Sequence, residues 1–200
     1  MKAYLQEQLK SFDRGALWSN EAASEGVKVV AGWAIPAFFF VLLVSHLASY
    51  RPVSYLEKAV AEGIGPHLWN VIGTLGLVLV AISLLLPGSR FLAKSAYQVL
   101  INTYAIGGLS FGLLFGQLAA AVATSNTESW LKWVVGLGGL ALAVQVLFLN
   151  FSLWYLGHLM ASREKSDGFL HRVEKVHLRG RVVAALIVGG IPAILLCMEK

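Results

Sequence analysis

The sequence predicts an all-α protein, a polytopic membrane helical bundle of about five transmembrane helices plus two or three short interfacial amphipathic helices. Three observations carry this reading. Hydrophobic residues make up 57% of the chain and charged residues only 14%, far from the balance of soluble domains. Uncharged runs of about twenty residues recur, each long enough to cross a hydrocarbon core of about 30 Å. The longest, Ser95 to Thr127, carries small residues at helical spacing, as helices that pack inside lipid do.

The expected organisation is a cytoplasmic amphipathic N-terminal arm, 1–27, and a membrane domain, 28–200, with spans near 29–50, 67–87, 95–123, 130–160 and 182–198. The arm has charges of both signs and lacks the apolar core of a cleaved signal peptide, so the first span is expected to act as an uncleaved anchor. Over residues 2–14, Leu5, Leu9 and Phe12 share one helical face, opposite Lys2, Glu7, Lys10 and Asp13. Such a helix lies on a membrane surface, with Trp18 as an interfacial aromatic, or serves as a partner-binding arm.

Span one holds Pro36, expected to kink it, and then Phe38, Phe39 and Phe40, suited to lipid. In the link to span two, Ser54 and Glu57 form a capping box, and Tyr55, Leu56, Val60 and Ala61 give a short apolar face. Span two opens on Trp69, expected at the membrane interface; after Gly73 and Gly76 its Leu, Val and Ile content reads as lipid-facing, and Pro87-Gly88 ends it.

Span three is the expected axis of the bundle. Gly108, Gly112, Gly116 and Ala120 form a nearly bare stripe, a glycine zipper, and Thr103, Ser110, Gln117 and Thr124 a polar one. The two stripes lie roughly 130° apart on a helix, which implies protein on two sides. A polar turn from Thr124 to Glu128 leads to span four, where Gly136, Gly139 and Ala143 offer a complementary small-residue face. The short turn makes span four the expected partner of the glycine stripe. Self-association or contact with another membrane subunit is the second reading of that stripe, and a pore built by oligomers the third.

Span four also carries Gln145 and Asn150, then Trp154 and His158. The charged segment from Ser162 to Arg181 reads as a surface helix with Phe169, Leu170, Val173 and Val176 on its apolar side. Span five, with Gly189-Gly190 and Pro192, is expected to cross from Val182 to Met198, a re-entrant hairpin being the alternative.

Five crossings place Lys2, Lys10, Arg14, Lys28, Arg90, Lys94, Arg163, Lys165, Arg172, Lys175, Arg179 and Arg181 on one face, and only Arg51, Lys58, Lys132 and Lys200 on the other. The excess of positive charge predicts a cytoplasmic N-terminus and a C-terminus outside a bacterial inner membrane. It also accounts for the net charge of +5 without nucleic acid, so the expected partners are the lipid bilayer and other membrane subunits or a second copy.

No activity is legible. Phosphate-cradling loops, zinc-protease helices and nucleophile elbows are missing, and mid-span positions hold no Asp, Glu, Lys or Arg. The single Cys197 allows neither an internal disulfide nor a thiolate metal cluster. No cofactor is expected, though a b-type haem could take His46 with His67, or His158 with His171 or His177. The expectation is therefore a non-enzymatic subunit of a larger membrane assembly, such as a secretion, conjugation, transport or respiratory complex. The rivals are a small channel or carrier using the neutral path along span three, and a haem-bearing membrane anchor.

Overall fold

The structure, a computed structural model, describes residues 20–47, 64–124, 128–161 and 168–198. The helices expected over 2–14 and 54–61, the end of span one, Ser125–Thr127 and the side chain of Thr124 lie outside the described residues. The chain forms α1 (Asn20–His46), α2 (Ile64–Leu85), α3 (Arg90–Thr124), α4 (Ser129–Ala161), α5 (Phe169–Glu174) and α6 (Leu178–Ala185). A π-helical turn (Leu186–Gly190) then joins α6 to α7 (Ile191–Met198). Five segments are long and apolar enough to cross a membrane: Ser24–His46, His67–Leu85, Arg90–Ala123, Ser129–Ala161 and Leu178–Met198. This is a multi-pass helical membrane protein.

Local chemistry sets the boundaries. α2 stops at Leu85, ahead of Pro87, which has no N–H to offer and disfavours a helical Leu86. Ser89 then opens α3, its hydroxyl accepting from the Leu92 N–H at 3.4 Å. Three helices start earlier than their apolar runs: α1 at Asn20 rather than near 29, α3 at Arg90 rather than 95, and α6 at Leu178 rather than 182. Charge limits burial in lipid, not helicity, so turns bearing Glu25 and Lys28, Arg90 and Lys94, and Arg179 and Arg181 extend these helices. Span five is one continuous helix rather than a hairpin. Pro192 cannot donate to the carbonyl one turn back, and the π turn lies directly before it.

Three helices pack directly on α3: α1, α2 and α4. The glycine stripe meets α1, not α4. A Cβ on Gly108 would lie 3.1 Å from the Val30 Cα, one on Gly112 2.7 Å from the Ala34 Cα, and one on Gly116 2.8 Å from the Val41 Cβ. Loop length had pointed to α4, but a bare stripe selects the neighbour that offers its backbone, and α1 presents Val30, Ala34 and Phe38 at matching one-turn intervals. Ala120 continues the stripe half-buried. The two helices run parallel, since rising numbers on α3 meet rising numbers on α1.

The face of α4 proposed for that stripe is used only in part. Gly139 admits Leu118 of α3 and Ala143 is half-buried, whereas nothing lies within 4 Å of a Cβ on Gly136. α4 runs antiparallel to α3, pairing Gly139 with Leu118, Gly107 with Asn150 and Gly157 with Leu100. α2 is antiparallel too, Gly73 meeting Thr103 and Gly76 meeting Leu100. α2 thus covers the first half of α3 and α1 the second, while α4 spans both.

The lipid-facing reading of α2 is also corrected. Val80, Ala81, Ser83 and Leu84 are buried, because α3 takes one side and span five the other. Gly189 lies against Leu77, Val78 and Ala81, so span five packs on α2 and forms an outer layer. The apolar core gathers Val80, Leu84, Ala93, Ala96, Leu100, Met160 and Leu170 from α2, α3, α4 and α5. Beside it Arg181 reaches the Leu85 carbonyl at 3.4 Å, supplying a donor to the end of α2.

Gly112→Val would drive a branched side chain into the α1 backbone, whereas Gly136→Val enters open space. The first is expected to cost about 2 kcal/mol or more and the second within about 0.5 kcal/mol. Equilibrium unfolding in mixed micelles checks this, and equal losses would contradict the α1–α3 contact.

Candidate functional site

The site begins with one residue pattern, adjacent glycines at 107 and 108. Neighbouring positions on a helix point about 100° apart, so the doublet opens two faces of α3 at one level. Gly108 admits α1. Gly107 admits the side-chain amide of Asn150, whose Oδ1, Cγ and Nδ2 would all collide with a Cβ there.

Asn150 is 1% exposed, so its amide must find partners inside the protein. Its Nδ2 donates to the backbone carbonyl of Tyr104 at 2.9 Å. That carbonyl belongs to a helix and uses its second lone pair. The Trp69 Nε1 donates to the Asn150 Oδ1 at 3.2 Å. The Tyr104 hydroxyl donates to the Gly26 carbonyl at 2.9 Å. Trp69, Asn150, Tyr104 and Gly26 belong to α2, α4, α3 and α1, so one chain of hydrogen bonds joins four helices.

Aromatic rings enclose this node. Trp154, one turn after Asn150, stands 6.1 Å from the Tyr104 ring and 5.2 Å from Phe151, centroid to centroid. The His158 ring lies 4.3 Å from Trp154 and 5.7 Å from Tyr97. Gly26 is bare because a Cβ would stand 3.3 Å from the Tyr104 hydroxyl and 3.6 Å from Trp154. These rings keep lipid from the hydrogen bonds and raise the cost of breaking them.

The two predicted polar groups are distributed unevenly. Thr103 is buried, but its hydroxyl bonds back to the Val99 carbonyl of its own helix at 2.8 Å. Ser110 is 3% exposed and its hydroxyl has no hydrogen-bond partner among the described residues. Gln117 is half-buried, and Gln145, mid-helix on α4, is exposed. Of the intramembrane residues singled out beforehand, Asn150 bonds across helices.

His46 and His67 are both exposed, and their helices pack on α3 rather than on each other. His171 lies 3.6 Å from Glu174, while His158 is held in the aromatic stack. No group of three or more metal-ligating side chains occurs among the described residues.

Sequence reasoning missed Tyr104 and Gly26, and read Trp69 as an interfacial aromatic. The available signal was the glycine doublet, since a second bare face beside the zipper demands a second close neighbour. No family model, curated protein or solved structure matches this chain.

Chemically, the node consists of neutral groups that satisfy one another, which fixes helix positions. Asn150→Leu leaves the Trp69 N–H unpaired and is expected to cost about 1–3 kcal/mol. Trp69→Phe alone should cost less, and the double variant should fall short of the sum by about 0.5–2 kcal/mol. Micellar unfolding of all four proteins completes the cycle; strict additivity would remove the Trp69–Asn150 bond.

Proposed function

We propose that this protein is a non-enzymatic subunit of a larger multi-protein membrane complex, a helical scaffold that holds a fixed surface toward partners within the bilayer. One observation carries the reading. Gln145, midway along α4, is exposed and makes no hydrogen bond among the described residues. About 24 Å of helix separates it from either end of α4, too far for its side chain to reach water. A carboxamide in hydrocarbon is costly unless it finds a partner, and such residues in membrane helices usually face protein. Around it α4 exposes Leu137, Leu142, Val144 and Phe148, while its buried residues, Asn150, Trp154, Gly157 and Met160, cluster toward the other end.

A rigid support for such a surface fits the rest of the bundle. α4 is fastened to three helices through Asn150 and Trp154, so its free face is presented in a fixed register. The charge distribution supports an orientation in a bacterial inner membrane with the N-terminus cytoplasmic and the C-terminus outside.

Purification of the full chain in mild detergent is expected to bring down further membrane proteins in stoichiometric amount. A lone monodisperse species without companions would reject the subunit reading. For orientation, alkaline phosphatase fused after Lys200 should be active and the same enzyme fused after Lys94 inactive; the reverse pattern would invert the topology.

A further inference from the structure

We propose that the outward face of α4 pairs in parallel with the same face of a second copy of this chain, Gln145 bonding to Gln145. The inference rests on the reading of that face as one covered by protein, and it names the partner.

Val134, Gly138, Ala141, Gln145, Phe148 and Ser152 follow one another at alternating steps of four and three residues. That spacing makes one straight heptad seam. Val134, Gly138, Ala141, Gln145 and Phe148 are all exposed, and nothing lies within 4 Å of a Cβ on Gly138. Gly139, Asn150 and Gly157 face α3, so the seam points away from the bundle. The Ser152 hydroxyl is already bonded to the Phe148 carbonyl at 2.8 Å. Gln145 is therefore the one seam side chain whose polar atoms still need a partner.

A second copy meets that need. Copies inserted by the same route share one orientation, so two of them meet about a two-fold axis along the membrane normal. That axis sets each seam residue opposite its own counterpart at the same depth. Most polar side chains fare badly in this arrangement, because charges repel and lone donors meet donors. A carboxamide carries both donor and acceptor and complements itself. No seam residue is charged. Gly138 and Ala141, on the turns before Gln145, allow the two backbones to approach closely enough for the amides to meet.

The test uses the full chain with Cys197→Ser in native membranes, carrying single cysteines at Gly138→Cys, Ala141→Cys or Phe148→Cys. Leu140→Cys, exposed on another side of α4, is the control. Oxidation is expected to give disulfide-linked dimers at the three seam positions and none at 140. In phosphatidylethanolamine–phosphatidylglycerol vesicles, energy transfer between labelled copies should report a dimer that Gln145→Leu weakens about 3- to 30-fold. Absence of seam crosslinks, equal crosslinking at 140, or an affinity indifferent to Gln145→Leu would each overturn the proposal. A photo-crosslinker at Ala141 separates the two readings. Capture of a different protein and no second copy overturns the pairing but keeps the subunit reading, whereas no capture at all removes both.

Discussion

A helix in lipid gains little by exchanging acyl chains for leucines, so this bundle depends on how closely α3 lets its neighbours approach. Its bare positions set that distance on two sides. Gly108, Gly112 and Gly116 bring in the backbone of α1, and Gly107 admits the amide of Asn150 from α4. Toward α2 the roles reverse, Gly73 and Gly76 receiving Thr103 and Leu100 from α3. Close approach is what makes dispersion and short polar contacts strong enough to hold helices together without a hydrophobic drive.

The hydrogen-bonded node follows from the same constraint. The Asn150 carboxamide is tolerable within four apolar helices because Trp69 and Tyr104 answer it, and Tyr104 passes the connection to Gly26. Each bond is modest, yet together they fix the axial register of four helices whose apolar surfaces would otherwise slide. The π turn in span five has a comparable logic: directly before Pro192 the helix widens for a turn instead of breaking.

Against this closed arrangement, two mid-span polar groups stand apart. The Ser110 hydroxyl is buried without a partner among the described residues, and the Gln145 amide is exposed at the middle of a membrane helix. The first is a small cost inside a packed interface. The second lies on a continuous, uncharged seam, which directs attention outward from the bundle rather than into it.

Hydropathy and periodicity alone determined that the chain is helical, that it crosses a membrane about five times, and that 108–120 is a packing surface. Those properties depend on local composition and on the period of the helix, both present in the linear sequence. Which helix the stripe accepts was decided only in three dimensions: loop length favoured α4, but only α1 fits its backbone against those glycines. The burial of α2 was likewise illegible, because Leu, Val and Ile look the same to lipid as to a neighbouring helix, and span five was free to cover them. Tyr104 and Gly26 join Asn150 and Trp69 across four helices, and no local pattern records a bond between residues so far apart in the chain. The glycine doublet at 107–108 was the one local trace of that node, since two bare faces at one level require two close neighbours.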